Sequence, residues 1–228
     1  VVLDVHGVLN KRNSRDVFSD PSLRPWYSHM SGKYRYFYSN NSSQRRQYAA
    51  FNPRIGMVFN AVKHKDIQLF ANISRSYEPP TFDELVGTEV TSNINTSPKK
   101  LFSIGLEKQT ATTFEVGSKG RLRQLSWNVA YYHSWVNHEI LEVKDYVRGL
   151  KRTENYPHTL HQGMEIGIQA ASKPHFFGRN IGTFTLGAVY DYSRFIFKGG
   201  KYDGKYLAGI PKHYVNASLD YRHSSGLN

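Results

Sequence analysis

The chain contains no cysteine among its 228 residues. Disulfide bonds, zinc sites built on thiolates and catalysis by a cysteine nucleophile are therefore excluded. No stretch approaches the roughly 18 apolar residues that a membrane-spanning helix requires, and the mean hydropathy is only -0.56. Membrane β-barrels escape this test, because polar residues that face the lumen alternate with apolar ones along every strand.

Metal-binding and catalytic patterns are also missing. The ten histidines are dispersed and show no HExxH-like ligand spacing, and His158 and His161 fall on opposite faces of a strand. We therefore predict no cofactor and no metal ligated by the protein, so iron would arrive only as a chelated ligand. Ser126 and Ser134 lie on a polar strand face whereas His133 lies on the other, so a serine–histidine pair is absent. We predict that the protein is not an enzyme.

The stretch LSWNVAYYHSW, residues 125–135, has the alternation of a strand with one apolar face. Side chains alternate between the two faces of a strand, so its odd positions share one face and its even positions the other. The odd face has aromatic residues near both ends and Val129 in the middle. This arrangement is typical of a barrel strand seen from the lipid side, although a soluble sandwich strand can show it too.

Seven further stretches repeat this alternation and predict an all-β protein with about eight strands. They are residues 1–9, 51–60, 67–77, 110–117, 158–169, 184–192 and 215–221, and the strand that begins at 125 continues to about 143. Long connections follow the odd strands, at 10–46, 78–108, 144–157 and 198–205. Short turns follow the even ones, at 63–66, 117–123 and 173–180. Outer-membrane barrels sort their loops by length in this way, with the long loops extracellular.

The net charge of +12 favours an anionic partner. The first two long connections combine cations with aromatic rings, which suits either an anionic chelate or the phosphates of lipopolysaccharide. No nucleic-acid-binding motif accompanies them, so we predict no nucleic-acid partner. The predicted ligand-binding residues are Arg24, Lys33, Tyr34, Arg35, Lys99 and Lys100.

Charged residues also recur on the polar strand faces. Acid–base catalysis would need paired carboxylates, but these carboxylates are spread over four strands. We interpret them as a polar network that lines a lumen, through ion pairs with each other or with another domain. The predicted members are Arg54, Glu115, Glu165, Asp191, Asp220 and Arg222.

Four motifs in a fixed order add a family resemblance. They are FNPRIG at 51–56, LFANISRSYEPPTFDEL at 69–85, LEKQTATTFEVG at 106–117 and GIPKH at 209–213. This series resembles the barrel of TonB-dependent outer-membrane receptors, especially ferric-siderophore and ferric-citrate-type receptors. The resemblance begins at about residue 51 and covers most of the chain beyond it. It implies energised uptake of a large, scarce ligand through a wide barrel in the bacterial outer membrane, with the TonB protein acting through an N-terminal plug.

These observations together predict a transmembrane antiparallel β-barrel segment of up-and-down strands, part of a barrel of about 22 strands. Residues 1–228 would form a partial barrel domain, and we expect the plug and the remaining strands to lie outside this piece. The predicted partners are a ferric siderophore or similar anionic chelate, TonB, and outer-membrane lipid. Two alternatives stay open: a complete eight-stranded barrel with a structural or adhesion role, and a soluble β-sandwich or lipocalin-like binding protein. If the segment is partial, strands 1–9 and 215–221 should be open edges.

Overall fold

The fold is that of a computed structural model, which describes residues 1–14, 37–39, 44–61, 66–90, 99–145, 150–172, 175–176, 179–180 and 182–223. Among these residues, no helix has the length and apolar character needed to cross a membrane. The only helical element described is a 3₁₀ turn at Gly200–Tyr202. The strands are β1 (Val2–Ser14), β2 (Phe37–Ser39), β3 (Gln44–Asn60), β4 (Ile67–Glu78), β5 (Val86–Val90), β6 (Lys99–Ser103), β7 (Gln109–Leu122), β8 (Leu125–Asp145), β9 (Leu150–Ala171), β10 (His175–Phe176), β11 (Arg179–Asn180), β12 (Thr183–Phe197) and β13 (His213–Arg222).

Eight long strands form one antiparallel sheet in the order β1-β3-β4-β7-β8-β9-β12-β13. Each strand pairs with the next long strand along the chain, which is the up-and-down topology. All eight predicted strands and the all-β antiparallel fold are confirmed. β9 extends further at both ends than the alternating pattern indicated, and β8 begins at Leu125 as predicted but ends two residues later.

The sheet has two chemically different faces. Directly opposed residues of an antiparallel pair share a face. The registers therefore show which residues of each long strand lie on each face of the sheet. We call one the apolar face; its members include Leu3, Val5, Ile55, Met57, Leu69, Ile73, Phe114, Val116, Leu125, Trp127, Val129, Tyr131, Trp135, Met164, Ile166, Ile168, Leu186, Tyr190, Tyr192, Val215 and Leu219. The polar face includes Asp4, Asn52, Arg54, Asn72, Thr113, Glu115, Lys119, Ser126, Asn128, Ser134, His161, Glu165, Asp191, Asn216, Asp220 and Arg222. The predicted odd-numbered apolar face of residues 125–135 is confirmed.

The apolar face lies uncovered among the described residues. Leu219 has 68% of its surface exposed and Leu186 has 53%. An exposed apolar surface this wide is unfavourable in water. Aromatic side chains mark both ends of this face. Trp127, Phe184 and Tyr221 lie near the short turns, and Tyr131, Trp135 and Tyr192 lie toward the long connections. An apolar band between two aromatic girdles is the outer surface of a membrane barrel.

Both outer strands of the sheet are open edges. Among the described strands, β1 pairs only with β3, and β13 pairs only with β12. The expected open edges are therefore confirmed within the described part of the chain. The alternative of a closed eight-stranded barrel is wrong, because β1 and β13 do not pair. The two-layered sandwich is wrong as well, since the one further sheet described is the two-stranded β10–β11 hairpin.

The predicted loop at 144–157 is wrong, because β8 and β9 continue as a hairpin to the pair Asp145–Leu150. Residues 150–156 are mostly polar and therefore show no alternation. Pro157 cannot donate a hydrogen bond to the ladder. It lies opposite His138, which takes φ 54, and the ladder omits only this pair before it resumes at Glu139–Tyr156.

The predicted irregular segment at 78–108 also contains strands. β5 and β6 pair with each other, β5 meets β9 at Thr88–Lys151, and β6 pairs in parallel with β2. The connection from β4 therefore reaches the far side of β9 before it returns to β7. Its first turn is closed by reciprocal hydrogen bonds between Thr81 and Glu84, and Leu85 behind it is fully buried. These pairings join residues distant in sequence, so local alternation could not indicate them.

Gly163 on the polar face is a position without room for a side chain. It lies opposite Tyr132, and a Cβ atom at 163 would collide with the Tyr132 ring and with the carbonyl oxygen of Tyr192. Gly167, on the same strand and face, is open, because the nearest atom to a Cβ there is the carbonyl oxygen of Asn128 at 3.8 Å. The aromatic ring thus covers one glycine and leaves the other free.

We expect Gly163→Ala to lower the free energy of unfolding by about 1–3 kcal/mol, the usual cost of overpacking. The matched control Gly167→Ala should leave it nearly unchanged. Denaturant unfolding of the full-length receptor in lipid measures both. Equal losses in the two variants would contradict the packing of Tyr132 on Gly163.

Candidate functional site

The polar face of the described sheet carries several shallow grooves, and two of them are rich in hydrogen-bonding groups. One, of about 340 Å³, is lined by Ser126, Asn128, Gly167, Gly187 and Asn216 among others. The glycines provide its depth, and hydroxyl and amide groups line it. The second groove, of about 510 Å³, lies at the β1 side, where Asp4, Arg54, Asn72, Glu115 and Lys119 contribute. Both grooves offer hydrogen-bonding groups to whatever occupies the interior of the barrel.

The structure places all six predicted network residues on the polar face. Glu115 accepts a hydrogen bond of 2.8 Å from the Asn72 side chain on the neighbouring strand. Glu165 lies directly opposite Asp191, and two like charges in that position repel each other. Among the described residues, no hydrogen bond or ion pair joins the six to one another. Their role as a network therefore stays a prediction.

The sequence did not indicate a buried polar cluster where β8 and β9 extend beyond β7. Glu139 is only 7% exposed; it accepts a hydrogen bond from the Thr159 hydroxyl and lies 3.2 Å from His161 Nε2. His161 stacks on Phe195, with ring centroids 4.2 Å apart and planes 4° apart. Strand alternation from Trp135 would put Glu139 on the apolar face. The backbone of His138 has a positive φ, and the Glu139 side chain contacts Thr159 and His161 instead. The signal that could have indicated this was Pro157 opposite.

A second cluster lies where the 198–212 connection meets β12 and β13. The Tyr190 hydroxyl is 3.0 Å from His213 Nδ1, and Lys212 Nζ lies 3.7 Å from the centroid of the Tyr206 ring. A hydrogen bond from the Lys212 side chain lowers the pKa of the Tyr206 hydroxyl, and hydrogen bonding from Arg194 acts in the same direction. The cluster is basic and sits at the long-connection end of the sheet.

The structure describes only two of the six predicted ligand-binding residues. Arg24, Lys33, Tyr34 and Arg35 lie outside the described residues. Lys99 and Lys100 begin β6, where their backbones pair with Phe37 and Tyr38 of β2. The β2–β6 pairing therefore joins the first two long connections, and residues 33–35 precede β2 by only a few positions. The two segments that sequence analysis treated separately meet in one sheet.

The described residues contain no group of three or more histidine, aspartate or glutamate side chains placed to hold a metal ion. This absence of a metal-binding group does not test whether iron is bound only as a chelate, which stays a prediction.

Comparison with known proteins identifies the architecture. A family model described as "TonB dependent receptor-like, beta-barrel" matches residues 20–227. No curated protein matches the sequence significantly. Among solved structures, the chain is similar to "Copper transporter OprC", with a TM-score of 0.56 and 13% identity over 80% of this chain and 25% of that one. It is also similar to the siderophore receptor PirA from Acinetobacter baumannii, with a TM-score of 0.53 and 15% identity over 78% of this chain and 28% of that one.

Identities this low show the fold alone, and the chain spans 25% and 28% of the length of these two structures. The family model, however, covers nearly the whole chain. TonB-dependent receptors are transporters of the outer membrane rather than enzymes. From the matched range and the two-faced meander of strands, this chain belongs to the β-barrel family of TonB-dependent receptors.

Proposed function

We propose that this chain forms one wall of a receptor barrel in the bacterial outer membrane, and that the complete receptor takes up an anionic metal chelate such as a ferric siderophore. The observation that carries the proposal is the sheet itself. It has a lipid-compatible apolar face, a grooved polar face and two open edges. A wall with these properties encloses a wide, wet lumen once further strands extend it.

An anionic ligand is supported by the charge of the two long connections that β2 and β6 join. Guanidinium and ammonium groups neutralise carboxylates or phenolates, and tyrosine rings pack on flat chelating groups. The ligand-binding group that we propose comprises Arg24, Lys33, Tyr34, Arg35, Lys99 and Lys100. Such a group at the long-connection end would meet a chelate before it enters the lumen.

The polar face supports a second element of the proposal, an internal plug through which TonB supplies energy. Glu165 and Asp191 face each other without a cationic partner among the described residues. Cationic side chains of a plug would relieve this repulsion. The grooves beside Gly167 and Gly187 would accept protruding plug residues.

Removal of charge from the long connections tests the ligand class. We expect the full-length receptor with Arg35→Gln and Lys100→Gln to take up a ferric siderophore at least about ten-fold less well at limiting ligand, because each charged hydrogen bond contributes roughly 1.5–3 kcal/mol. Uptake of radioactive iron by cells with and without TonB is the measurement.

The matched control is Arg121→Gln with Arg123→Gln, which removes two cations from the opposite end, at the β7–β8 turn. This control should transport normally. Parallel assays with ferric citrate and with a copper complex establish the metal and the chelate. Uptake that is unchanged in the Arg35 and Lys100 variant would contradict their role in ligand binding.

A further inference from the structure

The apolar face of β12 ends in aromatic rings and is followed at once by cations. Tyr190 and Tyr192 share this face with Arg194, two residues further along the strand. That step places the Cα atom of Arg194 about 7 Å beyond the Cα atom of Tyr192. On β13, His213 pairs with Tyr192, and Lys212 precedes it. The boundary between the apolar band and the polar region is therefore a short line of positive charge.

The cations are held on a hydrogen-bonded framework. The backbone N–H of Ser193 donates to the carbonyl of Lys212 at 2.9 Å, and that of Leu207 donates to the carbonyl of Phe195 at 3.0 Å. Tyr206 forms a bridge with Ile196, which is only 1% exposed. Lys212 Nζ lies 3.7 Å from the centroid of the Tyr206 ring, and Arg194 lies on the same face of β12 as Ile196, two residues before it. Two cations and a hydroxyl therefore lie in one patch at this end of the sheet.

Within the part of the chain that the structure describes, this positive charge has no carboxylate counter-ion. Among the described residues, Arg194 and Lys212 form no salt bridge with any carboxylate. Residues 194–213 contain five lysine and arginine residues and a single acidic one, Asp203. The Asp203 carboxylate accepts the N–H of Gly199 at 2.7 Å and so serves the turn. An anion from outside this part of the chain is the natural complement.

We propose that Arg194, Lys212 and Tyr206 bind a phosphate group on the headgroup of a glycolipid in the outer leaflet, such as the lipid A portion of lipopolysaccharide. A guanidinium fork, an ammonium and a hydroxyl supply the donors that phosphate oxygens require. The acyl chains then lie along the apolar face below, on Tyr192, Ala188 and Leu186. The long connections of outer-membrane barrels are extracellular, which puts this site at the outer leaflet. The inference rests on the proposed outer-membrane location.

Lipid binding to the purified full-length receptor in detergent tests the site. The ligands are diphosphorylated lipid A, the same lipid without phosphates, and inorganic phosphate, and native mass spectrometry gives the dissociation constants. We expect Arg194→Gln with Lys212→Gln to weaken binding of diphosphorylated lipid A about five-fold per cation, or roughly thirty-fold for the pair. The control Arg121→Gln with Arg123→Gln should bind it like the wild type.

Three results would overturn the site: equal binding by the variant and the wild type, equal binding of lipid A without phosphates, or inorganic phosphate binding as tightly as the lipid. Energised uptake by cells provides the separate readout for the proposed function. Uptake by the Arg194 and Lys212 variant should match the wild type, since the site faces away from the lumen. A wild-type receptor that transports no chelate would contradict the uptake proposal, and the lipid titration would still decide the site.

Discussion

Val129→Arg should destabilise the barrel by about 2–4 kcal/mol, whereas its neighbour Asn128→Arg should cost little. Val129 lies on the apolar face, midway along the part of β8 that crosses this face, and is flanked by Ser118 and Ile166 on the adjacent strands. Its replacement would place a cation at the centre of the hydrocarbon layer. Asn128 is exposed and lines the groove on the polar face, where water can solvate an arginine.

The two variants form a matched pair, because they introduce the same side chain at adjacent positions of one strand. Reversible unfolding of the full-length receptor in lipid vesicles gives the free energies. Equal effects at 128 and 129 would count against a bilayer on one face of the sheet.

His161→Leu should cost about 3 kcal/mol of folding stability. The substitution would leave the Glu139 carboxylate buried with only the Thr159 hydroxyl as a partner. Removal of one partner of a buried carboxylate is costly, because the carboxylate stays away from water and loses a hydrogen bond. The stacking of His161 on Phe195 would also be lost.

His158→Leu provides the control, since His158 is exposed and hydrogen-bonds Asn137 at 2.8 Å on the opposite strand face. It should change stability by less than about 1 kcal/mol. The double variant Glu139→Leu with His161→Leu should recover most of the loss, as apolar replacements of buried pairs often do. Denaturant unfolding of the four proteins measures this, and a double variant no more stable than His161→Leu would contradict the pairing.

Sequence alternation predicted the barrel strands because lipid and lumen impose opposite requirements on successive residues. Strand β8 shows where the alternation of apolar and polar residues ends. Up to Trp135 the two faces differ in chemistry, and their assignment from the sequence is right. Beyond it the hairpin with β9 has polar residues on both sides, so the period disappears although the ladder continues to Leu150.

Alternation predicted less of the candidate site than of the strands. The six polar-face residues were found because charged side chains alternate with apolar ones along their strands. Glu139 was missed because its environment depends on the backbone of His138 and on Pro157 across the ladder, which alternation alone does not encode. The β2–β6 pairing likewise joins segments about sixty positions apart in sequence, and the parallel contact of Phe37 with Lys99 has no local signature.

Cross-linking between strands tests most directly whether this sheet is one wall of a larger barrel. The chain has no cysteine of its own, so introduced pairs can be assigned within it. In the membrane-embedded full-length receptor, Ala188→Cys with Ala217→Cys should cross-link efficiently with a short thiol reagent, because these positions are directly opposed on β12 and β13. Leu3→Cys with Leu219→Cys, and Val5→Cys with Ala217→Cys, should not, because β1 and β13 each border other strands of the barrel. Efficient cross-linking of either β1–β13 pair would show a closed eight-stranded barrel and contradict the account.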